Sequence, residues 1–124
     1  MPQVTFEHVF ADLGGVAPDR LSDVQGLYAV LLAAANAAGL HPAGTPQVHS
    51  GPKGVAAVLV CHGGHVALHT LPEAGLCFAD VAGVGAVRPQ RGLEVLVKRL
   101  AAREVRTDAR RRGPVTPTPQ PERP

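Results

Sequence analysis

The chain has 124 residues and a formal net charge of +2, with three Phe, one Tyr and no Trp. This length suits one domain whose core is built from Ala, Val and Leu, and the small charge does not favour a nucleic-acid partner. No apolar segment is long enough to span a membrane and the chain does not open with a signal peptide, so neither a membrane anchor nor secretion is expected.

The N-terminal part of the chain predicts one strand followed by one helix. In residues 3–13 every second side chain belongs to the same set, which is the pattern of a strand with two distinct faces. A helix is predicted to begin at Ser22, where Gln25 completes a capping box, and to end at Gly39 as a left-handed cap.

The middle of the chain predicts four more strands and a second helix. The strands are expected at residues 47–50, 55–62, 65–70 and 76–81. Gly63-Gly64 is expected to form the hairpin turn between the second and third of these, and Pro89 to begin the helix. The order β-α-β-β-β-β-α predicts an α/β (α+β) fold, a two-layer sandwich with a mainly antiparallel sheet and two helices on one face.

The C-terminal part of the chain has a different composition. Residues 106–124 are rich in Pro and Arg, and such a segment buries too little apolar surface to offset its ordering entropy. We therefore predict a domain over residues 1–105 and a disordered tail over 106–124. The arginine run 110–112 is interpreted as part of a solubilising tail, with contact to RNA or acidic partners as the alternative.

Cysteine and histidine side chains are the chain's potential ligands for a metal such as zinc. Cys61 and Cys77 lie in apolar segments without metal-type spacing, which predicts buried thiols in a cytoplasmic protein. Imidazole ligands for zinc are available at His8, His49, His62, His65 and His69. The histidine spacing matches no helical or knuckle template, so no metal site is predicted.

One motif carries a family resemblance. Residues 65–73 read H-V-A-L-H-T-L-P-E and resemble the signature S-H-x-x-x-H-T-W-P-E of the small bacterial S-adenosylmethionine decarboxylases. Residues 8–13, 52–58 and 79–81 are similar to three further landmarks of that family, H-x-x-x-D-L, P-Q-G-V-S-G-V and V-D-V. The landmarks between residues 52 and 81 keep their register without gaps, so the resemblance implies common ancestry over most of residues 4–101.

The resemblance also implies a particular chemistry. In that family a Glu-Ser peptide bond breaks itself, and the serine becomes a pyruvoyl group that condenses with the substrate amine and accepts electrons during decarboxylation. The Glu-Ser pair corresponds to Gly63-Gly64 here, so Gly64 stands at the position of the self-cleaving serine. Because glycine has no hydroxyl, no pyruvoyl cofactor is expected in this chain.

Other family positions divide into lost and retained groups. The departures are Ala56 for a serine that assists processing, Val84 for the proton-donating cysteine, Ser50 for the aromatic residue that stacks on adenine, and Leu71 for Trp. Cys77 lies seven positions before Val84, and this odd offset predicts that it points to the other face of the strand. His69, which resembles the processing histidine, is retained together with Thr70, Pro72 and Glu73.

Three residues are candidates for a functional site. His69 is the candidate catalytic residue, since imidazole can exchange protons near neutral pH. His65 shares its strand face and, with Glu73 in the following loop, is a candidate for ligand binding. The alternative is that both histidines are inherited scaffold residues and that Glu73 is a solvated turn residue.

The leading hypothesis is a degenerate S-adenosylmethionine decarboxylase-like protein. By resemblance it is linked to spermidine and polyamine biosynthesis, binds S-adenosylmethionine or a related nucleoside, and acts as a binding or regulatory homologue in the cytoplasm. Its expected protein partner is a second copy, paired through the sheet edges, or an intact decarboxylase. The alternatives are an active enzyme on S-adenosylmethionine, either a decarboxylase or a repurposed pyruvoyl-independent enzyme, and a purely structural or interaction protein.

Overall fold

The computed structural model describes residues 4–115 and contains a six-stranded antiparallel sheet with helices on one face. The strands are β1 (Phe6–Gly14), β2 (Gln47–Gly51), β3 (Gly54–Cys61), β4 (Gly64–Leu71), β5 (Leu76–Val84) and β6 (Glu104–Arg112). The helices are α1 (Pro18–Ser22), α2 (Val24–Ala38) and α3 (Pro89–Leu100). The sheet order is β2-β3-β4-β5-β1-β6. The predicted two-layer sandwich is therefore confirmed, with a third short helix and one additional strand.

Alternation along the strands separates a core face from an open face. In β4 the side chains of Val66, Leu68 and Thr70 are buried, whereas those of His65 and His69 point away from the helices. The same alternation holds in β1, β3 and β5, and the buried sets pack against α2 and α3. Within residues 4–115 no helix is long and apolar enough to cross a membrane.

The start of the long helix differs from the prediction. Asp23 caps α2 by accepting a hydrogen bond from the backbone N–H of Gly26 at 3.0 Å. Ser22 ends α1 instead, and its hydroxyl donates to the carbonyl of Pro18 at 3.0 Å. The predicted capping box at Ser22 is therefore wrong, because a separate helical turn precedes α2. The left-handed end at Gly39 is confirmed, with φ of 79°.

The hairpin between β3 and β4 is shifted by one residue from the predicted turn. Cys61 pairs with Gly64 across the hairpin, so His62 and Gly63 form the two-residue turn. Gly63 has φ of 73°, a left-handed conformation that glycine adopts without strain. Gly64 lies inside the sheet, where it pairs with Gly83 of β5 as well as with Cys61.

The prediction of disorder from residue 106 is wrong for residues 106–112. These residues belong to β6, which pairs with β1 along its whole length, so the domain extends beyond residue 105. Every residue of β6 is exposed, and its order therefore comes from backbone pairing and not from side-chain burial. The part of the predicted tail at 116–124 lies outside the described residues.

Ion pairs tie the arginines of β6 to β1. Arg106 donates to the carboxylate of Asp12 at 2.7 Å, and Arg111 donates to that of Glu7 at 3.1 Å. Both pairs are partly exposed, so each contributes modestly to stability. They explain why an arginine-rich segment is compatible with a fixed strand at this edge of the sheet.

Candidate functional site

The open face of the sheet carries both candidate histidines. His65 and His69 point to this face, as predicted from their spacing in a strand. They are four positions apart in an extended chain, so their Cα atoms are roughly 13 Å apart. A small ligand held at one imidazole therefore lies at a distance from the other.

His69 lies in the middle of this face and is exposed. Its direct neighbours across the sheet are Ala56 in β3 and Phe78 in β5, and Ala56 separates it from His49 in β2. Among the described residues the imidazole has no hydrogen-bond partner, which leaves both ring nitrogens available to solvent or to a ligand.

His65 lies in an aromatic corner of the open face. Its ring centroid is 6.4 Å from that of Phe6, at an interplanar angle of 39°. The guanidinium of Arg112 lies 5.7 Å from the centroid of the same Phe6 ring. This corner offers aromatic faces and a cation, which are groups that interact with planar or anionic ligands.

A histidine–carboxylate pair on this face was not predicted. Nε2 of His8 lies 3.2 Å from Oδ1 of Asp80, and the His8 ring is 5.4 Å from that of Phe10. A carboxylate in this position accepts a hydrogen bond from the imidazole N–H and orients the ring. No local pattern indicates the pair, since only the antiparallel pairing of β1 with β5 brings the two residues together.

Glu73 and His65 lie at opposite ends of β4. It is exposed on the 3₁₀ turn Pro72–Ala74 that follows β4, whereas His65 lies at the beginning of β4. With Ser50 and Lys53 it lines an open groove of about 540 Å³. The three candidate residues therefore do not converge on one small site within this chain.

The two cysteines face the core and are free thiols. Burial raises the pKa of Cys61, and burial raises the pKa of Cys77 to about 12 against the opposing effect of a hydrogen bond with the backbone of His69. Neither thiol is a thiolate near neutral pH. Val84 is 45% exposed on the open side, so the prediction that Cys77 and Val84 point to opposite faces is confirmed.

The raised pKa of Cys77 predicts a pH-dependent loss of stability. The unfolded thiol ionises near pH 9, while the folded thiol stays protonated until about 12. The contribution of Cys77 is therefore fully present below pH 9 and is lost as the pH rises towards 12. Urea unfolding of the wild type and of Cys77→Ala is compared from pH 7.5 to 10.5. Above pH 9 the unfolding free energy of the wild type is expected to fall by roughly 1 kcal/mol per pH unit relative to that of Cys77→Ala. Parallel curves for the two proteins would contradict this expectation.

Between residues 4 and 115 no group of three His, Cys, Asp or Glu side chains is placed to hold a metal ion. The histidines considered as ligands are divided between the open face, which carries His65 and His69, and the hairpin turn, which carries His62.

Gly64 lies at a close contact between β4 and β5. A Cβ atom built on Gly64 would overlap the carbonyl oxygen of Ala82, and it would lie 2.9 Å from both Cα of Gly83 and Cδ2 of Leu40. Real Cβ atoms essentially never approach a neighbour that closely, so the backbone here admits only glycine without a shift.

Comparison with known proteins identifies the family. The family model described as S-adenosylmethionine decarboxylase matches residues 7–113. The S-adenosylmethionine decarboxylase proenzyme of Symbiobacterium thermophilum is 36% identical over 107 residues, which is 86% of this chain and 81% of the relative. The proenzyme of Pelotomaculum thermopropionicum is 30% identical over 112 residues, which is 90% of this chain and 89% of the relative.

A solved structure has the same fold. The crystal structure of the adenosylmethionine decarboxylase from Aquifex aeolicus VF5 matches with a TM-score of 0.82 over 97% of this chain and 100% of that chain, at 23% sequence identity. The family match also extends across β6, in agreement with its place in the sheet. The chain belongs to the S-adenosylmethionine decarboxylase family.

Proposed function

We propose that this chain is a family member that does not process itself into a pyruvoyl enzyme. It binds S-adenosylmethionine or a related nucleoside and acts as a binding or regulatory homologue in polyamine biosynthesis. The observation that carries the proposal is Gly64, which stands where the family signature has its serine. Glycine supplies no hydroxyl for attack on the preceding carbonyl, and therefore no route to the pyruvoyl carbonyl.

The residues around this position do not fit a pyruvoyl group. The group is made from a serine side chain, and the backbone at Gly64 meets Ala82 where a Cβ would stand. Ala56 and Val84, at the positions of the assisting serine and the proton-donating cysteine, carry neither a hydroxyl nor a thiol. No step of the proposed function therefore passes through a pyruvoyl group.

The open face supports ligand binding in the absence of that chemistry. Phe6, His65 and Arg112 present two ring faces and a guanidinium in one corner, which suits a purine base or a carboxylate. His69 is exposed and lacks a partner within the described residues, so it can donate to or accept from a bound ligand. Glu73 supplies a separate polar contact in its groove.

The protein partner is proposed to cover this same face. Val60, Phe78 and Val84 are 60%, 43% and 45% exposed, and all three lie on the open side of the sheet. Apolar side chains grouped on one face are typical of an interface. A second copy, or an intact decarboxylase with the same sheet, would bury them. The sheet edges are poorer surfaces for a partner, since β2 is short and β6 is highly charged.

The proposed location is the cytoplasm. Two free thiols are consistent with it, because thiols stay reduced in that compartment.

The experiment is the intact mass of the purified chain, followed by titration with S-adenosylmethionine. One uncleaved species and heat of binding are expected, with binding weakened at least about tenfold by His69→Ala. His41→Ala, another exposed histidine, lies in the loop after α2 and serves as the matched control. Light scattering is expected to give the mass of two chains. A chain split before residue 64 and bearing a pyruvoyl group would refute the proposal.

A second candidate function is an enzyme that acts on S-adenosylmethionine without a pyruvoyl group. The observation in its favour is the contact between His8 and Asp80 at 3.2 Å, which is an arrangement suited to general acid–base catalysis. Mass spectrometry of the incubated substrate, together with release of labelled carbon dioxide, tests this function. Product formation that His8→Ala abolishes would establish it in place of the binding role.

A further inference from the structure

Two glycines and one leucine meet at the end of the β3–β4 hairpin. Gly64 in β4 pairs directly with Gly83 in β5. Leu40, which follows α2, covers both positions, because its Cδ2 would lie 2.9 Å from a Cβ on Gly64 and 2.7 Å from a Cβ on Gly83. The space that two side chains would need is filled by one leucine and by the two backbones.

Leu40 is held firmly in this place. Its side chain is 4% exposed, and its backbone N–H donates to the carbonyl of Ala35 at 2.9 Å. Gly39 immediately before it has the left-handed conformation that ends α2. The helix end fixes the backbone of Leu40, so only rotation of its side chain can move Cδ2 away from Gly64, whereas the contacts with Ala82 and Gly83 are to backbone atoms.

We infer that the backbone of Ala82 and Gly83, together with Leu40, closes position 64 against any side chain, so that the chain cannot recover a self-processing serine by substitution at this position alone. The inference rests on the proposed function, and it adds a steric barrier to the missing hydroxyl. A serine at 64 would require β5 to move at Ala82, whose carbonyl oxygen overlaps the Cβ position. β5 lies between β4 and β1 inside the sheet, so such a shift disturbs two ladders of backbone hydrogen bonds.

The preceding position adds a second obstacle. The family dipeptide is Glu-Ser, and the glutamate would stand at Gly63. There is room for a side chain, because the atom nearest to a Cβ on Gly63 is Cβ of Val84, at 3.8 Å. However, the φ of 73° at Gly63 is strained for any residue with a Cβ. Restoring the dipeptide therefore requires a different hairpin and not only two different side chains.

The test compares two glycine-to-serine substitutions. Gly64→Ser is expected to lower the Tm by at least about 5 °C and to remain a single uncleaved chain. Gly44→Ser is the matched control, since a Cβ on Gly44 meets no atom within 4 Å, and its Tm is expected to stay within about 1 °C of the wild type. A Gly64→Ser protein that melts like the wild type, or that cleaves itself, would overturn the inference.

A double-mutant cycle tests the part assigned to Leu40, and it uses the smallest side chain, alanine, at position 64. Gly64→Ala adds only the Cβ, so it remains measurable if the serine variant does not fold. In the Leu40→Ala background Gly64→Ala is expected to lower the Tm by less than in the wild type, because the contact with Cδ2 is removed while the overlap with the carbonyl of Ala82 remains. Equal effects in both backgrounds would remove Leu40 from the inference. Failure of the proposed function gives a different result, namely cleavage of the unmodified chain.

Discussion

A chain that ends at Arg103, and so lacks β6, is expected to lose more than about 3 kcal/mol of unfolding free energy and to self-associate. β6 is bonded to β1 along its length, and each backbone hydrogen bond contributes roughly 0.5 to 1.5 kcal/mol net. Its removal also deletes the ion pair of Arg106 with Asp12. β1 would then become an uncovered sheet edge with free N–H and C=O groups, which promotes pairing between chains.

The control for this truncation is a chain that ends at Val115 and keeps β6. Urea unfolding gives the stability of both chains, and size-exclusion chromatography gives their association. A chain ending at Arg103 with the midpoint and elution of the Val115 control would show that β6 does not stabilise the sheet. The comparison therefore separates an ordered strand from the disordered segment that composition alone predicts.

Replacement of Leu31 by alanine is expected to lower the unfolding free energy by about 3 kcal/mol. Leu31 is fully buried on the core face of α2. Its neighbours along the helix, Ala34, Ala35 and Ala38, are buried and have no longer side chain to move into the cavity. The cost of a cavity depends on how far the surrounding side chains can collapse into it. Because alanines cannot fill the space, the cost is expected to stay clearly above the 2 kcal/mol lower end of the usual 2 to 5 kcal/mol range.

The matched control is the next residue of the same helix. Leu32 is 43% exposed, and Leu32→Ala is expected to cost less than about 1 kcal/mol. The two variants have the same change in composition and nearly the same change in helix propensity. Equal losses in urea unfolding would contradict the assignment of the core face of α2.

The sequence predicted those parts of the fold that depend on local side-chain patterns. Alternation located the first strand and a nearly continuous apolar segment located the strand at 55–62, while the helix ends at Gly39 and Pro89 followed from the φ preferences of glycine and proline. The two-residue period of a strand placed His65 and His69 on one face. Each of these features is fixed by a few neighbouring residues, so a single chain contains enough information to predict it.

The features that were not predicted depend on distant pairing. β6 contains no buried side chain, so no hydrophobic pattern marks it. The pair of His8 and Asp80 exists only because β1 lies beside β5. The hairpin register was misplaced by one residue because both Gly63 and Gly64 suit a turn, and pairing of Gly64 inside the sheet decides between them.

The division of β4 and β5 into two faces separates two kinds of substitution. On the open face, a change at Ala56 or Val84 leaves the core residues beneath it in place. Gly64 belongs to the other face, where the carbonyl oxygen of Ala82 and the side chain of Leu40 occupy the space of a side chain. The open face can therefore vary one residue at a time, whereas position 64 can vary only together with its neighbours, so the two faces differ in their tolerance to mutation.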